Sequence, residues 1–259
     1  MARVLDKEAI LARLSALPGA VGFYYKDLLT GEELGFNENE EYEAASVIKL
    51  PMFAAAAKLV SEGRASWEDQ LLCKAEDRVP SCGVLRFFDD GIKASLKTLC
   101  ALMITISDNM ATNIIMRHFG IEKLNEEFRA MGLQKTHIER LLFDSKAGAE
   151  GKQNKIVPKE MGMLLEQVWR HEFIDEATSE TVEEILLEQQ INHKIPGYLP
   201  GHIDVAHKTG EDSGITNDVA VVYAKEPFVM CVATNRTDTT AAEIAMREIA
   251  LMLVGDEEE

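Results

Sequence analysis

Ser46-Val-Ile-Lys49-Leu-Pro51-Met-Phe-Ala-Ala-Ala-Ala57 is the stretch where the chain passes from strand-like to helical patterning. It opens a candidate helix over 47–62. Ser46 and Lys49 stand at i and i+3, on one helical face. Ser46 falls at the end where backbone N–H groups are free and the helix dipole is positive, a setting that favours an oxyanion forming beside it. A neighbouring lysine works as a base when burial or a nearby cation lowers its pKa. The bland reading is an N-cap serine with an exposed lysine, and about one S-x-x-K arises by chance in a chain of this size. Pro51 adds a local conflict. It cannot donate to the Val47 carbonyl and its ring crowds that group, so the first turn is expected to be irregular.

Upstream, apolar residues at Leu5, Ala9, Ile10, Leu14 and Leu17 have helical spacing that stops at Pro18-Gly19. Residues 21–25 and 33–36 read as strands joined by a turn over 27–31. Downstream, helical patterns occupy 95–106, 111–119, 121–131, 158–170 and 175–190. The last quarter returns to strand patterns at 204–207, 218–224 and 228–234, then closes on a helix over 239–253 and an acidic, frayed tail over 256–259. The expected fold is α+β, with an antiparallel sheet flanked by N- and C-terminal helices and an inserted all-helical lobe. Residues 1–45 and 195–259 form the α/β lobe and 46–194 the helical lobe. The active site is expected in the cleft between them.

Composition narrows the function. With 46% hydrophobic and 27% charged residues among 259, the chain has the make-up of a globular protein. Lys plus Arg total 27 against 44 Asp plus Glu, a net charge of −17 that repels phosphate backbones and anionic headgroups. Neither nucleic acid nor membrane is an expected partner, and no apolar run is long enough for a transmembrane helix. Asp6, Lys7 and Glu8 put charge where a signal peptide needs apolar residues, so the sequence as written reads as cytoplasmic; removal of a leader would make it periplasmic or extracellular. Cys73, Cys82, Cys100 and Cys231 form no C-x-x-C pair and are expected to be buried free thiols.

Two further polar clusters stand out. Ser107-Asp108-Asn109 precedes a helical pattern, where such residues ordinarily act as caps. Its chemical reading is a hydroxyl that passes a proton and an amide that binds a substrate amide. Lys208-Thr209-Gly210 follows a short strand pattern. It reads either as a surface lysine on an edge strand with a bulge, or as a cation, a hydroxyl and a close backbone approach for a carboxylate-bearing substrate. Chance gives S-x-x-K, S-D-N and K-T-G in this order at about 1 in 1,000 or less.

These three motifs, with the helix–hairpin start, the segment 189–196 and the closing strands and helix, resemble the class A β-lactamase and penicillin-binding-protein superfamily over nearly the whole chain. The resemblance implies an acyl-enzyme serine hydrolase without metal or organic cofactor, acting on a small β-lactam or a related amide or ester. D-alanyl peptidase or esterase chemistry and a penicillin-binding sensor that stays acylated are the alternatives. It implies that Ser46 is the nucleophile, Lys49 accepts or relays its proton, and Ser107, helped by Lys208, protonates the leaving nitrogen. Asn109 and Thr209 hold the substrate, and the backbone N–H groups of Ser46 and of Glu211, next to Gly210, form the oxyanion hole. The sequence departs from hydrolytic class A enzymes over 139–154, which lacks the E-x-x-L-N segment whose glutamate activates the deacylating water. Asp144 is the first substitute there, against pairing with Arg140 or Lys146; Glu150 reads as solvated. Glu122-Lys-Leu-Asn125 is one residue too short and reads as an exposed helical face. His207 reads as an outward-facing strand residue, and the other histidines are dispersed.

Overall fold

The computed structural model describes residues 5–255; residues 1–4 and the tail expected over 256–259 lie outside the described residues. Helix α1 (Lys7–Ser15) starts where the Asp6 carboxylate accepts the Ala9 N–H at 2.9 Å. Strands β1 (Ala20–Asp27) and β2 (Glu33–Phe36) form the expected hairpin. Its turn is held by the Asp27 carboxylate, which accepts the N–H groups of Leu29 and Thr30 at 2.9 and 2.7 Å. A short β3 (Tyr42–Glu43) and a 3₁₀ turn (Ala45–Ile48) lead into α2 (Lys49–Ser61).

The excursion that follows holds β4 (Gln70–Cys73), β5 (Ile92–Ser95), α3 (Leu96–Thr105), α4 (Asn109–Phe119), α5 (Ile121–Ala130), α6 (Ser145–Ala149), β6 (Lys155–Ile156), α7 (Pro158–Trp169) and α8 (Glu176–Leu187). Ser95, Asp108 and Asp175 cap the helices behind them by accepting N–H groups of the first turn. The chain ends on β7 (Val205–Asp212), β8 (Ile215–Val222), β9 (Phe228–Asn235) and α9 (Thr239–Val254).

Strands from both ends of the chain share one antiparallel sheet of order β2-β1-β9-β8-β7. Its strands β8 and β9 are buried along nearly their whole length because both faces are covered. On β9, Val229, Cys231 and Ala233 enter the core shared with the helical excursion, while Phe228, Met230 and Val232 enter the core under the terminal helices. Helix α7 packs across the first face with Gly162 against Tyr24, whose ring a Cβ there would overlap at 2.3 Å. Helix α2 is buried along nearly its whole length. Lys58 is accommodated there because its amine donates to Glu127 at 2.7 Å.

The segment 46–194 is not wholly helical, as had been expected. β4 pairs with β5, and β6 pairs with β3 in the register Tyr42↔Ile156. These runs are too short to show a period, and their partners lie far away in sequence. Strands β7 and β8 also extend beyond the expected 204–207 and 218–224, since Lys208, Thr209, Thr216 and Asn217 are buried there. Among the described residues no helix is long and apolar enough to cross a membrane.

Candidate active site

Ser46 lies in the 3₁₀ turn, directly after Ala45, whose φ is +43°. A left-handed alanine costs about 1–2 kcal/mol, and here it redirects the chain from β3 into α2. Because α2 starts only at Lys49, Pro51 falls in the first helical turn, where a missing N–H costs little. The conflict read from the sequence is thus resolved by the 3₁₀ turn that carries Ser46. Strand β7 runs against this turn at Gly210, where a Cβ would stand 3.0 Å from the Ala44 oxygen and from the Ser46 and Val47 nitrogens.

The amine of Lys49 is fully buried, contrary to the exposed lysine of the bland reading. It contacts Ser46 Oγ at 2.9 Å, Ser107 Oγ at 3.0 Å, the Ser107 carbonyl at 2.8 Å and Asn109 Oδ1 at 2.7 Å. Both carbonyl oxygens are pure acceptors. A neutral amine satisfies them with its two N–H bonds and turns its lone pair to the hydroxyls. Burial, and then the charge of Lys208, push the Lys49 pKa well below its ordinary value. The geometry and the electrostatics therefore agree on an amine able to take a proton from Ser46.

Ser107 has φ +57°, which turns its hydroxyl into the gap between the two lysines. Lys208, also fully buried, donates to Ser107 Oγ at 3.1 Å and to the Thr209 carbonyl at 2.8 Å. Burial pushes its pKa down to about 7; Asp218 opposes the shift and Lys194 adds to it. Asp218 is buried, which alone would raise its pKa, but His207, Lys194 and the Ile195 N–H hold it below the ordinary carboxylate value. His207 is correspondingly inward-facing, not outward: Nδ1 lies 3.0 Å from Asp218 Oδ1 and Nε2 lies 2.9 Å from Asn192 Oδ1. Asp108 ties the loop together through its bonds to the N–H groups of Val84 and Leu85 at 2.7 and 2.8 Å.

Ser46, Ser107, Asn109, Thr209, Gly210 and Glu211 line one cleft of about 250 Å³, with Lys49 and Lys208 behind its wall. Asp144 does not line it. Its carboxylate caps α6, accepting the Ala147 N–H at 3.0 Å, because an aspartate before a helix finds free N–H groups nearer than any distant cation. Glu139 accepts the Gln153 N–H at 2.7 Å and Glu150 pairs with Lys152 at 3.0 Å. Arg140, Leu142, Phe143, Gln153 and Asn154 are the residues of the loop that reach the cleft.

Three asparagines hold the loop. Asn113 exchanges hydrogen bonds with the Leu142 backbone at 2.9 and 3.0 Å, and Asn125 does the same with Ile138 at 2.8 Å. Asn154 accepts the N–H groups of Glu139 and Arg140, while its own carbonyl accepts the Ala44 N–H. The 122–125 segment is therefore not simply an exposed face, since Leu124 is buried and Asn125 is a clamp. Sequence reasoning also missed Cys82, exposed at the cleft rim in place of the expected buried thiol, and His193 and Glu43, which line the cleft. Cys82 is brought there because its carbonyl accepts the Asn109 N–H at 3.2 Å.

Fold and cleft together set a buried lysine amine beside a serine hydroxyl, an arrangement suited to hydrolysis. Known proteins agree. A family model described as a β-lactamase enzyme family matches residues 6–255. The β-lactamase CARB-3 of Pseudomonas aeruginosa is 25% identical, aligned over 96% of this chain and 86% of its own length. A β-lactamase structure from Sphaerobacter thermophilus superposes with a TM-score of 0.88 at 25% identity, covering 96% of this chain and 97% of that one. A mutant of PBP-A, solved as an acyl-enzyme complex with penicillin G, gives a TM-score of 0.87 at 25% identity, with 96% and 94% covered. The chain belongs to the β-lactamase enzyme family.

Proposed function

We propose that Ser46 is acylated by β-lactams or chemically related amides and esters, and that hydrolysis of the resulting ester is the slow step. The observation that carries the reading is the Lys49 amine, committed to two carbonyl acceptors and left facing the hydroxyls of Ser46 and Ser107. Ser46 Oγ gives its proton to Lys49 as it bonds to the substrate carbonyl carbon. The negative charge that develops on the carbonyl oxygen goes to the N–H groups of Ser46 and Glu211. As the tetrahedral adduct collapses, the C–N bond breaks and the nitrogen takes the Ser107 proton, which Lys208 or Lys49 restores across contacts of 3.1 and 3.0 Å. Lys208 and Thr209 receive a substrate carboxylate, and the Asn109 amide receives its acylamide group.

Deacylation needs a base for water. Glu139, Asp144 and Glu150 of the loop are engaged elsewhere, and the loop presents Arg140, Leu142, Phe143, Gln153 and Asn154, none of them a carboxylate, to the cleft. That supports rapid acylation followed by slow release, between an efficient lactamase and a covalent acceptor.

A chromogenic cephalosporin tests this with intact mass recorded in parallel. The expected result is a burst of one equivalent with a matching adduct on Ser46, followed by slow turnover, all absent in Ser46→Ala. Steady rapid turnover without an adduct would overturn the slow-release reading. Wild-type activity in Ser46→Ala would overturn the nucleophile.

A further inference from the structure

At the outer end of β7, three side chains of metal-ligand type meet from three separate segments. His193 precedes the 3₁₀ turn Ile195–Tyr198, Glu211 is on β7, and Glu243 is near the start of α9. His193 Nε2 lies 3.3 Å from Glu211 Oε1 and 3.9 Å from Glu243 Oε1. One ligand atom from each residue falls within 4.8 Å of the other two. Donor atoms on adjacent corners of a tetrahedral zinc site, each about 2.05 Å from the metal, stand about 3.3 Å apart. The first separation has that value already, and a small rotation of the Glu243 side chain brings the second to it.

We infer that His193, Glu211 and Glu243 form a binding site for a divalent cation of the zinc class at the rim of the cleft. Charge supports it. Two carboxylates converge on one imidazole, and Lys194, 3.3 Å from Glu211 Oε1, offsets only one of them. Lys194 is anchored by the carbonyls of Gly210 and Asn217 at 2.9 and 3.2 Å and reaches the same Glu211 Oε1 that faces His193, so one lone pair of that oxygen takes the ammonium and another is left for the metal. The ligands are also supported from behind. Thr216 Oγ1 donates to Glu243 Oε1 at 3.0 Å, and Arg247 Nη1 donates to the His193 carbonyl at 2.7 Å. One imidazole and two carboxylates leave a fourth tetrahedral position for water, and two of the three ligands, His193 and Glu211, line the cleft. The site shares Glu211 with the proposed oxyanion hole, which uses its backbone N–H, whereas ligation uses its side chain and stands whether or not Ser46 is acylated.

The test is zinc titration of the full chain, stripped with a chelator, in competition with a chromophoric chelator. Wild type is expected to bind one zinc at this site. His193→Ala and Glu243→Gln should each weaken that binding by about tenfold or more. His171→Ala, in the separate group with Glu176 and Glu180, should leave it unchanged. Cobalt in place of zinc should give the visible bands of a tetrahedral site with nitrogen and oxygen ligands. Glu243→Gln should keep the wild-type circular dichroism and Ser46 acylation rate in metal-free buffer, separating lost ligation from lost fold. Absence of binding, binding insensitive to both substitutions, or a thiolate-to-cobalt band tracing the metal to a cysteine would each overturn the assignment.

Discussion

Replacing Gly210 with alanine perturbs the centre without touching a titratable group. The new Cβ would stand 3.0 Å from the Ala44 oxygen and from the Ser46 and Val47 nitrogens. Favourable carbon contacts begin near ~3.5 Å, so β7 must retreat from the 3₁₀ turn by roughly half an ångström. That gap separates the two backbone N–H groups proposed to share the oxyanion. Their useful range is only about 2.7–3.1 Å from the oxygen, and losing one donor of this kind costs ~10²–10³ in rate, or ~2.7–4 kcal/mol. Acylation of Gly210→Ala is therefore expected to fall by about a hundredfold. Overpacking should cost ~1–3 kcal/mol of stability, leaving a folded protein. Stopped-flow acylation by a chromogenic cephalosporin, with thermal unfolding of the same sample, measures both. A folded Gly210→Ala variant acylating within about threefold of wild type would refute the proposed oxyanion geometry.

Three other perturbations separate the roles proposed for nearby groups. The second-order acylation rate for a carboxylate-bearing β-lactam should fall as pH rises through about 7, where Lys208 loses its proton, and should fall again at low pH as Lys49 gains one. An ester substrate without a carboxylate, run over the same pH series, should lose much of the upper limb; identical profiles for both substrates would remove Lys208 from carboxylate binding. Leu142→Glu puts a carboxylate on a clamped backbone facing the cleft and should speed deacylation by ~10², the lower end of a general-base contribution, read from the steady rate after the burst. Asp144→Ala should leave deacylation unchanged and cost ~1 kcal/mol in thermal unfolding as a lost helix cap, whereas slower deacylation would restore Asp144 as a base.

What the sequence disclosed depended on how local the cause was. Strand β2 spans the residues expected of it, and the helices after Ser95 and Asp175 begin at their capping side chains, because turns and caps are settled by atoms a few residues apart. The alternation of β9 between two cores explains the apolar strand pattern read over 228–234. Polar strand residues were less visible. Lys208 reads as a surface residue at a strand end and Asn217 as a residue before the next strand, but distant groups pair with them in the interior, among them Ser107 and Glu43. His207 shows the same effect, since its inward direction depends on Asp218 of the adjacent strand. The motifs brought Ser46, Lys49, Ser107 and Lys208 into view together. Asp144 shows where reasoning by residue type stopped: a carboxylate in the right loop had a nearer backbone partner.

The loop over 139–154 is fastened at its neck and flank by Asn113, Asn125 and Asn154. Amide groups neither titrate nor attract counter-ions, so these staples hold as firmly in brine or mild acid as in dilute neutral buffer. Salt and mild acid therefore reach the charged contacts of Glu139, Asp144 and Glu150 within the loop while leaving its three amide anchors in place.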